Sequence, residues 1–250
     1  MNSQCTPLVL TSIGSTHLDA IVRALQEHAP RRGRPWALPL RRRIVIAVTS
    51  LRTNLTVREL AAIFTVSRSQ THRILSDIVA RLARLLVPHA GDLRWSWIVD
   101  GTLVPTRDHA VAAKSKNYRW SSCNAQLLVR RRDLLIVSVS GAGPGNRNDV
   151  VHYRGSVIER LCQLHRRVLA DGGYRGVPEL AAPIFRRNRI VRDAAWRRHR
   201  KRRARVEHAI ARLKDWRALR DYRRRGRTLL ASLQAIAVLH NLKIELRDNS

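Results

Sequence analysis

The expected fold is decided by two segments, Val168-Leu-Ala-Asp171-Gly-Gly-Tyr174 and Arg203-Ala-Arg-Val-Glu207-His-Ala-Ile-Ala-Arg-Leu-Lys214-Asp-Trp216. The first is typical of a short strand that ends at an acid. The second is typical of a helix that carries an acid inside a basic stretch. A third acid, Asp100, follows the apolar run Trp97-Ile-Val in the same way. Working outward from these segments, the pattern predicts that acids are gathered where strands end.

The three acids need a physical reason, because carboxylates rarely end buried strands unless they are paired or bind a metal ion. If the two strands are neighbours, the carboxylates of Asp100 and Asp171 converge, and Glu207 on the later helix can complete the set. Converging carboxylates need positive charge between them, and a divalent metal ion supplies it. For one acid alone, a helix cap or a salt bridge is the better interpretation. For three at these positions in so basic a chain, we favour a metal site.

The charge of the chain points to a polyanionic partner. Its 250 residues carry a formal net charge of +30, from 48 basic and 18 acidic side chains, and nearly all of the basic ones are arginine. Arginine suits phosphate and guanine edges. A GC-rich genome explains the preference for arginine over lysine equally well, but it does not explain the net charge. The hydrophobic content of 44% excludes a disordered basic tail.

The cysteines and the apolar pattern indicate a soluble protein of a reducing compartment. Cys5, Cys123 and Cys162 form no CxxC pair, so the sequence predicts neither a disulfide framework nor a zinc site. It contains no run of eighteen apolar residues and no signal-peptide pattern at its beginning. We therefore expect a soluble, intracellular protein that does not enter a membrane.

The first part of the chain is predicted to be helical. Residues 1–35 form an N-terminal segment, in which Arg31-Arg-Gly-Arg-Pro35 is either a DNA-touching arm or a solvated loop. In residues 36–90, Thr56-x-x-Glu59 and Ser67-x-x-Gln70 predict capping boxes at two consecutive helix starts, which is typical of a helix-turn-helix domain. A helical hairpin used only for packing is the alternative. The outward face of the second helix supplies the candidate DNA-binding residues: Arg68, Ser69, Gln70, His72 and Arg73.

The second part, residues 91–250, is predicted to be α/β with a mixed sheet. Strands are expected at 95–105, 124–130, 134–140 and 167–170, with a loop at 141–145, a helix from Asn148 to about Leu164, and a final amphipathic helix from Thr228 to Leu246. The chemistry that uses three converging carboxylates is two-metal phosphoryl transfer. Arg203 and Lys214 flank Glu207 on roughly one helix face, where they either hold phosphate beside the metal or pair with Glu207.

Four stretches together carry a family resemblance: Ile98-Val-Asp100-Gly-Thr102, Gly143-Pro-Gly-Asn-Arg-Asn-Asp149, Ala170-Asp171-Gly-Gly-Tyr174-Arg-Gly176 and Arg203-x3-Glu207-x6-Lys214. With these, the chain resembles bacterial DDE transposases of the IS5 type over roughly residues 40–245. The resemblance implies an RNase H-like core and cleavage and joining of DNA at terminal inverted repeats. It also implies two Mg²⁺ or Mn²⁺ ions held by a catalytic triad of Asp100, Asp171 and Glu207. The resemblance further implies a homodimer or a larger assembly in the complex with DNA ends, and a cytoplasmic, nucleoid-associated location in a bacterium.

The chain departs from the family pattern at two positions. Asn148 precedes Asp149 where a histidine is common, and Arg200 stands where a tyrosine is frequent. Asp149 is therefore either a structural cap or a helper near the site. Two other functions remain open at this stage, a DNA-binding regulator derived from such an enzyme that no longer cuts, and a nuclease of the same fold without strand transfer.

Overall fold

The computed structural model describes residues 6–27, 35–88, 93–115, 119–165, 167–187 and 189–248. The predicted domain boundary near residue 90 and most of the predicted basic arm, residues 31–34, lie outside these ranges.

The first part of the chain is helical, as the sequence predicts. Its helices are α1 (Thr6–Val9), α2 (Ser15–Glu27), α3 (Leu40–Thr53), α4 (Val57–Phe64) and α5 (Arg68–Arg84). Asn54 and Thr65 end α3 and α4 in the left-handed conformation, with φ of 60° and 53°, so each helix stops abruptly and the chain turns. A tight turn through residues 65–67 joins α4 to α5.

The predicted capping box has both of its hydrogen bonds at the start of α4 but only one of them at the start of α5. Thr56 Oγ1 accepts a hydrogen bond from the Glu59 amide at 3.3 Å, and Glu59 Oε2 accepts one from the Thr56 amide at 2.6 Å. At α5 the Ser67 hydroxyl accepts from the Gln70 amide at 3.1 Å, but the returning side-chain bond of a capping box does not accompany it. The local start signals therefore set both helices, because each satisfies an amide that the helix leaves free.

The core of these two helices differs from the prediction at one position. Leu60 and Ile74 are fully buried and Val66 is partly buried, as expected. Ile63 was expected inside, and this is wrong, because its side chain is 47% exposed. Phe64, four residues after Leu60 and therefore on the same helix face, takes the inward place.

The second part of the chain is built on one mixed sheet. Within the described residues its strands are β1 (Trp97–Pro105), β2 (Ala113–Lys114), β3 (Ser121–Arg130), β4 (Ile136–Pro144), β5 (Val168–Leu169) and β6 (Leu180–Ala181). Strand β3 pairs antiparallel with β1, β2 and β4, whereas β5 lies parallel to both β1 and β6. A separate hairpin follows, β7 (Phe185–Arg186) with β8 (Arg189–Ile190). The loop predicted at 141–145 is wrong for most of its length, since β4 continues to Pro144.

The helices of this part are α6 (Asp149–Tyr153), α7 (Val157–Gln163), α8 (Ala194–Arg203), α9 (Arg205–Lys214) and α10 (Leu229–Asp248). The single helix predicted from Asn148 to Leu164 is wrong, because Gly155 with φ of +72° breaks it and Ser156 caps α7 anew. Val151 and Val157, predicted to face inward, are exposed as a result. The final helix has its predicted inward face, formed by Leu229, Leu233, Ile236 and Leu239, with Leu242 partly buried.

The two parts of the chain share one hydrophobic core. A continuous cluster joins buried side chains of α2 to α5, one face of the sheet, α9 and α10, and a second cluster fills the opposite sheet face under α6 and α7. Hydrogen bonds also cross between the parts, from Asn54 Nδ2 to the Asp221 carbonyl at 2.8 Å and from Arg52 Nη1 to the Asp215 carbonyl at 2.7 Å. The mixed α/β architecture behind N-terminal helices, predicted from the sequence, is confirmed.

Helix α10 is the one described helix that is long and apolar enough to cross a bilayer by length and composition, over Leu229–Leu246. Core helices of water-soluble proteins pass the same test. Here the apolar face of α10 packs on α5 and β4 inside the shared core.

Candidate active site

The sheet register brings Asp100 and Asp171 to the same place. Trp97 pairs with Val168 and Ile98 with Leu169 in the parallel contact of β1 with β5. Continued by two residues, this register sets Asp100 beside Asp171, which directly follows the apolar end of β5. The convergence that the sequence predicts therefore follows from the neighbouring strands.

A third carboxylate, that of Asp149, lies in the same place. Asp149 is the first residue of α6, and its Oδ1 accepts hydrogen bonds from Asn124 Nδ2 at 2.7 Å and Gln126 Nε2 at 3.2 Å. Both amides belong to β3, the other neighbour of β1. A Cβ atom added at Gly101 would collide with Asp149 Oδ1, so the residue after Asp100 has to be glycine for Asp149 to approach β1.

The surroundings of Gly173 show that Asp149 and Asp171 lie near one another. A Cβ atom built there would lie 3.0 Å from Asp171 Oδ1 and 3.8 Å from Asp149 Oδ2. Asp171 Oδ1 also accepts from the Gly173 amide at 2.8 Å, so the turn after β5 holds this carboxylate. Oδ2 of Asp149 and Oδ1 of Asp171 are therefore both close to Gly173.

The pKa of Asp100 indicates that Asp100, Asp149 and Asp171 interact electrostatically. Burial raises the pKa of Asp100 to about 7. The guanidinium of Arg203 and the Gly101 amide lower this pKa, while the carboxylates of Asp171 and Asp149 raise it further. The side chain of Asp100 is only 14% exposed. A cation bound among these oxygens would relieve their mutual repulsion.

Glu207 is connected to this group through Arg203. The two terminal nitrogens of Arg203 donate to different acids, Nη1 to Asp100 Oδ2 and Nη2 to Glu207 Oε1, each at 3.1 Å. Glu207 lies in the first turn of α9, and its side chain is 63% exposed. The guanidinium of Arg203 thus links Glu207, the third acid of the predicted triad, to Asp100.

The predicted set of metal ligands is not assembled in this arrangement. Within the described ranges, no group of three His, Cys, Asp or Glu side chains is placed so that it could hold a metal ion. Lys214, predicted to flank Glu207, ends α9 with a half-buried amine, and burial lowers its pKa. Asp100, Asp149 and Asp171 lie near one another. Glu207 is linked to Asp100 through the Arg203 side chain, and Lys214 lies at the opposite end of α9 from Glu207.

Helix α8 crosses the site as a strongly basic element. It has the sequence Ala194-Ala-Trp-Arg-Arg-His-Arg-Lys-Arg-Arg203, and none of its side chains is buried. His199 contacts the Ala170 carbonyl through Nε2 at 2.9 Å, next to Asp171, and Arg203 reaches Asp100. Trp196 lies between the guanidinium groups of Arg192 and Arg200, 5.7 and 5.5 Å from its ring centre. The helix is thus fixed beside the acids while its charged surface faces solvent.

Asn124, Gln126 and Tyr174 are site residues that the sequence reasoning missed. Asn124 and Gln126 are buried in β3, and the Tyr174 hydroxyl donates a hydrogen bond to Gln126 Oε1. Burial raises the pKa of Tyr174, and the charges of Asp149, Asp100 and Asp171 raise it further, so its hydroxyl remains a donor. The signal in the sequence was the pair Asn124-x-Gln126, two amides on one face of an otherwise apolar strand.

The candidate DNA-binding residues lie together at the start of α5. Arg68, Ser69, His72 and Arg73 are exposed, whereas Gln70 is half-buried. The guanidinium of Arg73 lies 5.6 Å from the ring centre of Trp36. The predicted outward face is thus open to solvent, and its contact with DNA stays a prediction.

Comparison with known proteins agrees with this geometry. The sequence profile of the family described as transposase DDE domain matches residues 94–242. A protein of Streptomyces albus G, assigned as a transposase for insertion sequence element IS112, is 39% identical over 233 residues, which span 91% of this chain and 89% of that protein. No solved structure matches the chain significantly.

Proposed function

Because the chain belongs to the transposases with a DDE domain, we propose that it cuts DNA at the terminal inverted repeats of its own insertion sequence and joins the ends to a target. The observation that supports this most directly is the meeting of Asp100 and Asp171 at neighbouring strands, with Glu207 linked to Asp100 by Arg203. These acids come from three separate segments of the chain, two of which are the neighbouring inner strands β1 and β5.

The chemistry of these side chains suits a divalent metal ion, although the described arrangement does not yet bring three of them around one position. The acids offer hard carboxylate oxygens, which Mg²⁺ and Mn²⁺ prefer. Asp100 is desolvated near two other carboxylates, and the guanidinium of Arg203 opposes their charge at Asp100. We propose that Asp100, Asp171 and Glu207 hold two such ions. When bound, they make a water or a 3′-hydroxyl a stronger nucleophile and stabilise the leaving oxygen.

Arg203 has a separate part in this arrangement. Its guanidinium neutralises the buried Asp100 and fixes the carboxylate of Glu207 one helical turn away. Since a guanidinium also binds phosphate oxygens in pairs, Arg203 is placed to hold the scissile phosphate against the acids. The basic surface of α8 continues from this point and is proposed to hold the neighbouring DNA backbone.

Recognition of the DNA ends is assigned to α4 and α5, used as a helix-turn-helix. In that motif the second helix enters the major groove with its N-terminal residues near the base edges. The residues at the start of α5 are Arg68, Ser69, Gln70, His72 and Arg73. Because α5 and the sheet share one hydrophobic core, bound DNA would keep a fixed relation to the acids. Joining two ends requires at least two copies, so we propose a homodimer or a larger assembly on DNA.

The test is a reaction on a DNA fragment that carries the gene with its flanking sequence, incubated with Mg²⁺ and a target plasmid. Nicks at the two inverted repeats and joined products are expected, and chelation of the metal should abolish both. Nicks without joined products would indicate a nuclease of the same fold. Specific binding without any nick, in Mg²⁺ and in Mn²⁺, would indicate a regulator that has lost catalysis.

A further inference from the structure

We propose that Asp149 is a fourth acid of the metal centre, and that Asn124, Gln126 and Tyr174 are the residues that position it. This inference rests on the proposed function, because it concerns the same divalent ion. It reaches beyond the three acids of the triad, and it chooses between the two roles that the sequence leaves open for Asp149.

The capping role does not fit the contacts of Asp149. Asn148 is the N-cap of α6, Asp149 is the first residue inside the helix, and no side-chain cap hydrogen bond accompanies this helix start. The hydrogen bonds given to Asp149 come from Asn124 and Gln126 across the sheet, at 2.7 and 3.2 Å. The side chain is therefore directed at β3 and β1, away from the amides of its own helix.

Among the described residues, no cationic side chain neutralises the charge of Asp149. In the described ranges, no Lys, Arg or His side chain forms a salt bridge with it, although the chain carries a net charge of +30. Its contacts are two neutral amides, both on Oδ1, and both donors are buried. A half-buried carboxylate is seldom stable with amide donors alone when two further acids adjoin it. A divalent ion on Oδ2 would supply the missing charge.

Oδ2 of Asp149 is the oxygen on the side of Asp171. Oδ2 lies on the side of Gly173 and of Asp171 Oδ1, as the Cβ distances at Gly173 show. Gly101 provides the space that lets Asp149 approach β1, on the face opposite to the side chain of Asp100. Any side chain at residue 101 would displace Asp149, so this glycine is what lets Asp149 reach the strand that carries Asp100.

Gln126 fixes which oxygen of Asp149 is free. Its Oε1 accepts from the Tyr174 hydroxyl, so its Nε2 is the end directed to Asp149 Oδ1. Tyr174 ends the short turn, Gly172–Tyr174, that directly follows Asp171. One amide therefore couples the orientation of Asp149 to the turn that holds Asp171. Asn124 adds a second donor to the same oxygen.

The test is Mn²⁺ binding by the full-length protein, measured by titration calorimetry and by the electron paramagnetic resonance of the free ion. Asp149→Asn keeps the shape and removes the charge, so it should weaken Mn²⁺ binding by at least about tenfold. In the presence of a metal chelator, the melting temperature of the Asp149→Asn protein should equal or exceed that of the parent, because the variant removes a charge that the neighbouring carboxylates repel. Asp193→Asn is the matched control, because Asp193 caps α8 through its contact with the Trp196 amide, and asparagine serves there equally well.

Tyr174→Phe is the second variant, because it keeps every acid and only releases Gln126. Loss of a partner that orients a ligand typically weakens metal binding by about 10–100-fold, so a decrease near the lower value is expected. If Asp149→Asn does not fold, Tyr174→Phe decides the question, and unchanged Mn²⁺ affinity in it overturns the proposal. A folded Asp149→Asn protein that binds Mn²⁺ as tightly as the parent also overturns it.

Two further variants separate this inference from the proposed function. If Asp100→Asn and Asp171→Asn lose Mn²⁺ affinity while Asp149→Asn and Tyr174→Phe do not, only the role of Asp149 is wrong. If the parent protein binds no Mn²⁺, or if all four variants bind it normally, the metal centre itself is wrong and the inference falls with it.

Discussion

Arg203 on α8 donates a hydrogen bond to Asp100 on β1, with 3.1 Å between Nη1 and Oδ2, although 103 residues separate them in the chain. The same guanidinium holds Glu207 by its other terminal nitrogen. The acid of the central strand and the acid of the late helix are thus positioned by one side chain. Its planar, two-pronged shape is what allows this, so the predictions begin with it.

Arg203→Lys should slow DNA cleavage although it keeps the charge. An ammonium group is a compact point charge and does not reproduce the paired contact to both acids. Misplacement of a reacting group by about 1 Å can lower a rate roughly a hundredfold, and a loss of about 10–100-fold is expected here. The measurement is the single-turnover cleavage rate at saturating DNA. Arg107→Lys is the control, since Arg107 makes a bidentate pair with Asp221 outside the site. Equal rates for parent and Arg203→Lys would show that the paired contact is unimportant.

Binding to any DNA duplex should depend steeply on salt. With a net charge of +30, most of the affinity should come from phosphate contacts that release counterions. An affinity loss on the order of a thousandfold is expected between about 50 and about 200 mM salt. Fluorescence anisotropy with random and specific duplexes measures it. A nearly flat log–log plot would contradict a role for the basic surface.

Sequence preference should depend on the start of α5. Arg68→Ala and Gln70→Ala should each weaken binding to the preferred site by about 1–3 kcal/mol and change binding to random DNA little. Gln70 is half-buried, so we expect the larger effect from the exposed Arg68. Arg23→Ala, an exposed change on α2, controls for the loss of one charge. Equal losses on both DNAs would reduce α5 to a phosphate contact or a packing element.

The contribution of Asp100 to the stability of the metal-free protein should fall as pH rises through the acidic range. Burial raises the pKa of Asp100 from 3.8 to about 7 in the folded state. The unfolded chain therefore ionises Asp100 near pH 4, whereas the folded one keeps the proton until near pH 7. Between these values stability is lost, by about 4 kcal/mol at most, and the loss is complete above the folded pKa.

Asp100→Asn tests that pH dependence, because it removes the titrating group. In the presence of a metal chelator, the variant should have a higher melting temperature than the parent above pH 7. The difference between the two melting temperatures should be smaller near pH 4. Thermal unfolding followed by circular dichroism across this range gives the comparison. If the parent and the variant have parallel stability profiles, burial does not perturb Asp100.

The sequence predicted the positions that local patterns encode. Asp100 and Asp171 each follow an apolar run, and these runs pair in parallel register, so their convergence was accessible in advance, although β1 continues past Asp100 to Pro105. The Thr56 capping box set the start of α4 correctly, because it satisfies amides within one turn. The helix predicted across Gly155 failed because its apolar positions continue on both sides of a glycine that adopts a positive φ.

The remaining site residues depend on tertiary contacts that no local pattern specifies. Gln126 and Tyr174 lie 48 residues apart and meet only after β3 and the turn following β5 are packed. Arg203 was predicted to pair with Glu207 or with phosphate, but its contact with Asp100 depends on how α8 crosses the sheet. Helix α8 itself has no apolar periodicity, so the predicted helix was placed only from Arg203 onward.

The central claim is that Asp100, Asp171 and Glu207 carry out DNA cleavage together. The most direct measurement is the rate of cleavage at the inverted repeats by Asp100→Asn, Asp171→Asn and Glu207→Gln, beside the affinity of each variant for the same DNA. Each amide keeps the shape and removes the charge that holds a metal ion. We predict that all three abolish cleavage while DNA binding stays equal or becomes tighter. Cleavage by Glu207→Gln at the parental rate would contradict the account, and the third acid would then have to be sought elsewhere.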